Sequence, residues 1–177
     1  FRRELGLPLL GDNVLAQAGV PRSLAGQPFL LFAKLAHVLG DGDGLRMCWD
    51  WKGAAGLKPC FKHRNVLSKG SDLAPRDANF VEITCADSNR FEATMKEDVW
   101  AAVDVLLEAQ RRVSEGTMTR SRFVDLEKVY GLSCSPEGVL ADTELRELID
   151  PVQVTTFDWV HSALQDGSVT AEAFLLL

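Results

Sequence analysis

The sequence predicts a helix-rich α+β protein, mixed in its first half and mostly helical behind. Two apolar stripes at helical spacing run in succession from about residue 97. The segment Phe80-Val-Glu-Ile-Thr-Cys85 alternates apolar and polar residues and is β-branched, as a short strand requires. The nearly continuous apolar run Phe29 to Leu39 fits a buried central strand, or a helix with Lys34 and His37 on one face. The expected organisation is an irregular or truncated segment 1–28, a strand-containing part 29–95 with a Cys-x-x-His loop, and a helical part 96–177.

In chain order, residues 1 to 28 are punctuated by Gly and Pro every few positions and carry little periodic signal. Gly40-Asp41-Gly42-Asp43-Gly44 ends the apolar run, because three glycines in five residues do not cheaply continue a regular element. Leu45 to Trp51 reads as a short helix with Asp43 as its N-cap. Lys52 to Asn65 reads as a loop or knuckle, and Ser68 to Asn79 as an exposed loop. Val99, Val103, Leu106, Leu107 and Val113 make the first helical stripe, ended by Gly116. Thr119 caps a second helix whose stripe is Phe123, Leu126, Val129 and Tyr130, closed by Gly131. Asp142 to Ile149 reads as a helix stopped by Pro151, and Val152 to Thr156 is β-rich. Two further helices are expected, from Phe157 to Gln165 and from Thr170 onward.

The chain has 177 residues, enough for one domain, and a 46% apolar fraction that can fill a core. Its net charge of −6 argues against unaided binding of duplex nucleic acid, which needs clustered Lys and Arg. The longest apolar run holds Lys34 and His37 and is too short to span a bilayer, so no membrane partner is expected. Four scattered cysteines, Cys48, Cys60, Cys85 and Cys134, differ from a small disulfide scaffold and read as reduced, hence intracellular. The chain starts at Phe1 and stops inside an apolar run, so the expectation is a fragment.

Three groups carry chemistry. Asp41 and Asp43 follow the apolar run, where an α/β sheet exposes carboxylates able to hold a divalent cation; the plain alternative is a solvated Gly-Asp turn. Cys60-x-x-His63 has the spacing to present sulfur and nitrogen to one Zn²⁺, with Cys85 as the best third ligand and Cys48 next. The alternative there is a buried free thiol beside a surface histidine. Asp158 and His161, three apart, share one face of a helix and can act on one site, unless Asp158 merely favours the helix dipole.

Taken in order, Leu39-Gly40-Asp41, Lys58-Pro59-Cys60-Phe61-Lys62-His63-Arg64-Asn65-Val66 and Phe157-Asp158-Trp159-Val160-His161 resemble transposon-derived proteins of the CACTA and Plavaka type. Those proteins belong with the DDE/D transposases of RNase H-like fold. The resemblance covers roughly residues 29 to 177 and departs from the pattern at His63, commonly Cys, and at Trp159-Val160. It implies that Phe29 to Leu39 is a strand of an RNase H-like sheet and that residues around 96 onward include a helical insertion. It implies that Asp41 is one of the carboxylates holding Mg²⁺, that Asp158 and His161 form the accompanying Asp-x-x-His signature, and that Cys60 and His63 belong to a zinc-knuckle-like loop. The implied chemistry is metal-dependent cleavage and transfer of DNA, by a nuclear parent protein whose remaining acids lie outside this chain, which leaves the fragment inactive alone. The competing expectations are a non-enzymatic zinc-knuckle interaction module, a decayed transposon remnant and an α-rich scaffold with no site.

Overall fold

The computed structural model describes residues 19–32, 36–68 and 79–157. The chain is mixed α+β, with helices around one core and three separate two-stranded sheets among the described residues. Strands β1 (Val20–Leu24) and β2 (Gln27–Leu31) form an antiparallel hairpin. Its turn places Ala25 at φ 50° and Gly26 at φ 79°, the positive values that a two-residue hairpin turn needs to match strand twist. Strand β3 (Val38–Gly40) leads through Asp41 into helix α1 (Gly42–Trp49). Strands β4 (Val66–Leu67) and β5 (Val81–Glu82) pair in parallel. Helix α2 (Lys96–Ser114) is the longest element, followed by α3 (Arg120–Tyr130), α4 (Thr143–Leu148), the single turn α5 (Pro151–Val154) and strand β6 (Thr155–Phe157).

The helices form where capping and periodicity call for them. On α2, Val99, Ala102, Val103, Leu106 and Ala109 are buried, a stripe repeating every three or four residues. The Asp98 carboxylate accepts from the Met95 backbone N–H at 2.9 Å and satisfies a donor at the helix start. The Thr119 hydroxyl accepts from Arg122 N–H at the start of α3, and Gly131 closes that helix in the left-handed region at φ 72°. Gly131 also lets the chain cross closely, since a Cβ there would stand 2.9 Å from both the carbonyl oxygen and the Cβ of Lys58. Asp142 caps α4 through two backbone N–H groups.

Several expectations require correction, one of them the β-rich reading of Val152 to Thr156: its first three residues lie in the helical turn that Asp150 caps, and strand begins at Thr155. The run Phe29 to Leu39 is not one buried strand. Its first part belongs to β2, where Phe29, Leu30 and Leu31 are exposed, and strand structure returns only at Val38. The hairpin decides this, because the Ala25–Gly26 turn pairs Phe29 with Arg22, and Pro28 is tolerated because each strand of a two-stranded sheet is an edge. The segment 20–28 is accordingly strand and turn rather than irregular chain. The N-cap of α1 is Asp41, not Asp43: Asp41 is extended (φ −67°, ψ 174°) and accepts from Gly44 N–H at 2.6 Å. Asp43 lies in the first turn and pairs with Arg46 at 3.1 Å. The helix expected from Phe157 to Gln165 does not include Phe157, which ends β6; its other residues, and the helix expected from Thr170, lie outside the described residues.

The core gathers Leu45 and Trp49 of α1, Phe61, Val99, Ala102, Val103 and Leu106 of α2, Leu132, Leu140, Ile149 and Val152. Leu45 and Trp49 are one helical turn apart and both buried, so α1 is anchored by a single face. The loop after α1 grips the end of α3: Lys52 N–H donates to Gly131 O at 2.9 Å, Leu57 N–H to Lys128 O at 2.8 Å, and Lys52 pairs with the buried Glu127 at 3.4 Å. Strand β3 reaches across the chain to pair in parallel with β6, with Val38 opposite Thr155, Leu39 opposite Thr156 and Gly40 opposite Phe157. Among the described residues no helix is long and apolar enough to cross a membrane.

One buried side chain joins the middle of the fold. Asn65, 3% exposed, donates through Nδ2 to the carbonyls of Asn79 and Arg90, both at 2.8 Å, and accepts at Oδ1 from Glu92 N–H at 2.9 Å. Replacing it with Ala leaves the Arg90 carbonyl and the Glu92 N–H without this partner and vacates a buried polar position. Asn65→Ala is therefore expected to cost about 3 kcal/mol in urea unfolding. Gly131→Ala is expected to cost about 1–3 kcal/mol, because the added Cβ meets Lys58 and the backbone angle becomes strained.

Candidate functional site

Two regions of chemistry emerge, on opposite sides of α1 in the sequence. The first is the exit of β3. The parallel pairing with β6 brings Gly40 and Phe157 together as register partners, and each strand is followed directly by an aspartate in the sequence, Asp41 and Asp158. Asp41 is exposed; one carboxylate oxygen, Oδ1, takes the Gly44 N–H. His37, at the entry to β3, meets the hydroxyl of Thr156 through Nδ1 at 3.2 Å and ties the same two strands. Asp158 and His161 lie outside the described residues.

The second region is an open groove of about 570 Å³ between the Cys60 loop and helix α2. Lys58, Cys60, His63, Arg64 and Asn65 line one side, and Asp98, Val99, Ala102 and Val105 the other. The loop is held as an irregular ribbon: His63 bridges Ala93, Arg64 N–H donates to Glu92 O at 3.0 Å, and Thr94 N–H donates to Lys62 O at 2.9 Å. Arg64 adds ion pairs to Glu92 at 2.9 Å and Asp98 at 3.6 Å, while the His63 ring leans on Phe91 at 5.3 Å. Within this frame Cys60 Sγ and His63 Nδ1 stand 3.2 Å apart.

The two regions are mechanically linked by aromatic rings. Phe61 stacks on Trp49 at 6.5 Å and meets Trp51 at 6.1 Å, and Trp51 meets Phe157 edge-on at 5.9 Å. The residue next to Cys60 thus contacts the ring at the end of β6 through one intermediary.

The other sequence candidates sit differently. Cys85 Sγ turns toward the Asp87 carbonyl at 3.7 Å. Cys48 packs against the core, where burial and then the nearby Asp50 push its thiol up. Among the described residues no group of three or more His, Cys, Asp or Glu side chains is arranged to hold a metal ion. Cys60 and His63 thus bring two donors together, where a closed zinc site uses four.

Two lysines of the Cys60 segment, of which only Lys58 lines the groove, are not visible as functional in the sequence. Lys58 is one. Burial pushes its amine below the usual lysine range, Asp98 pulls it back up and Arg64 lowers it further. Lys62 is another: burial lowers its amine, offset by Asp150 and then Cys60, and its ammonium donates to the Val152 carbonyl. The hint in the sequence is the small basic cluster Lys62, His63 and Arg64, which reads more readily as a solvated face than as a contact surface.

The Lys58 shift has a sign that can be measured. Its folded value lies below the ordinary 10.5, so the unfolded chain binds more protons as pH approaches that value, and stability gains from this site as pH rises. Lys58→Met is expected to be more stable than the wild type at neutral pH, with the difference shrinking as pH rises toward 10.5. Paired urea titrations across that range check it.

Comparison with known proteins returned no match: no family model, no curated protein and no solved structure is similar enough to place the chain in a family.

Proposed function

We propose that the chain is part of a transposase-like, metal-dependent nuclease acting on DNA, in which Asp41 and Asp158 hold Mg²⁺ at the ends of two neighbouring parallel strands of an RNase H-like sheet. The observation that carries the reading is the β3–β6 register, Gly40 opposite Phe157, which connects two distant Gly-Asp and Phe-Asp segments through adjacent strands running the same way. Carboxylates emerging together from parallel strand ends are suited to a shared cation.

Two carboxylates there would suit Mg²⁺, a hard ion that takes carboxylate oxygens and retains several waters. The exposed Asp41 carboxylate has its Oδ1 committed to Gly44 N–H, which orients the group at the strand exit. When bound, the ion would polarise a phosphate oxygen and lower the pKa of an attacking water. The residues of this chain hold and aim: Asp41 is fixed as a helix cap, and His37 with Thr156 secures the strand pair behind it. With a net charge of −6, contact with the DNA backbone falls to surfaces beyond this chain, and a nuclear location follows from such a parent.

Mn²⁺, a paramagnetic stand-in for Mg²⁺, tests the site directly. In an NMR titration the amides of Gly40, Gly42 and Gly44 should broaden first in the wild type. Asp41→Asn, which retains a good helix cap, should weaken that broadening by about tenfold or more in ion concentration; Asp158→Asn should do the same. Broadening that ignores both substitutions, or that centres elsewhere, rejects the reading.

A further inference from the structure

We propose that Cys60 is a nucleophilic thiol, with His63 as its base, that forms covalent adducts with α,β-unsaturated carbonyl compounds entering the groove. The proposal stands on the groove side of the molecule and does not depend on the carboxylates at the strand ends.

The four cysteines differ in what their sulfur meets. Cys134 Sγ faces the amide oxygen of Gln110 at 3.1 Å, and burial followed by Glu127 and Asp50 pushes that thiol up. Cys85 Sγ faces a backbone carbonyl, and Cys48 is packed against the core near Asp50. Neither an amide oxygen nor a carbonyl takes a proton at neutral pH. Among these described contacts only Cys60 has a basic nitrogen in reach, His63 Nδ1 at 3.2 Å. A thiol that donates to Nδ1 requires the neutral ring to carry its proton on Nε2. Thiolates, not thiols, are the nucleophiles, and nearby cations favour them.

The groove around the pair carries charges of both signs. Lys58 and Arg64 line the groove with Cys60, and Glu92 and Asp98 are the acids facing them. The ion pairs of Arg64 and the bridge from His63 to Ala93 hold the imidazole in place without engaging the Cys60 thiol. The opposite wall, Val99, Ala102 and Val105 of α2, is apolar and accepts the carbon skeleton of an electrophile.

Addition to an α,β-unsaturated carbonyl balances with these groups alone. Cys60 gives its proton to His63, and the sulfur bonds to the β-carbon. The π electrons move through the α-carbon to the carbonyl oxygen as an enolate. The proton held by His63 then returns to the α-carbon, so nothing leaves and no oxidant or reductant is needed. A soft sulfur nucleophile and a single shuttling base are sufficient for this class.

N-ethylmaleimide and acrylamide, both of this class, are the probes. Limited reaction of the full chain at neutral pH, followed by peptide mapping, should find Cys60 modified at least about tenfold faster than Cys48, Cys85 or Cys134. His63→Gln should slow Cys60 by about tenfold or more. Free imidazole added at constant neutral pH to His63→Ala should restore part of the lost rate, since it can take the place of the missing base. A loop that had merely collapsed would not recover in this way. Equal labelling of all four thiols overturns the proposal, as does a Cys60 rate indifferent to His63→Gln at neutral pH. It is also overturned if purified protein carries stoichiometric zinc and Cys60 reacts only after a chelator removes it.

Discussion

Three hydrogen bonds from one buried amide hold the middle of this protein together. Asn65 joins the start of β4 to the Asn79 and Arg90 carbonyls and the Glu92 N–H, which lie 14 to 27 residues further along the chain in segments short of regular structure. An amide side chain suits this position because it donates twice and accepts at once, matching two carbonyls and one N–H in a site nearly closed to water. The ribbon that places Cys60 and His63 against α2 starts from this clamp. The β4–β5 pair, only two residues long in each strand, lies beside it: Val81 N–H donates to the Asn65 carbonyl itself. Pairing this short is not stable alone, and the amide network supplies the fixed geometry that the strands lack.

A short helix separates the two regions of chemistry. The eight residues of α1 carry the chain away from the carboxylate at the exit of β3 and toward the groove. Leu45 and Trp49 seat that helix in the core, and the stack of Trp49 on Phe61 passes the constraint to the residue beside Cys60. Asp41 serves the helix as its cap, so the same carboxylate that stands at the strand exit also fixes where the helix begins. A side chain with both duties is oriented before any ligand arrives, which is the condition for a well-defined site.

The aromatic run from Phe61 through Trp51 to Phe157 gives the molecule a rigid connection between its two chemical regions. It also accounts for tryptophans that are core rather than stacking platforms for a ligand: Trp49 is 2% exposed and Trp51 is half-buried between two rings. Against this packed middle, the β1–β2 hairpin presents Leu24, Phe29, Leu30 and Leu31 to solvent, so the apolar content at the front of the chain does not all serve the core.

Local signals determined the helical half. The stripe through Val99, Val103 and Leu106, the Thr119 cap, the Gly131 stop and the Asp142 cap act within one or two turns, so the order of residues is enough to read them. The sequence likewise marked Asp41, Cys60 and His63, because acids after an apolar run and sulfur three residues from imidazole are local patterns. Tertiary structure decided the rest. The division of Phe29 to Leu39 followed from a hairpin turn upstream, and the meeting of β3 with β6 joined residues more than a hundred positions apart. Asn65 reads in sequence as a loop residue, and Lys62 as part of a small basic cluster, until burial and distant partners give them their roles. Desolvation and long-range pairing depend on what folds over a residue, and a single chain of letters carries that only through the fold it forms.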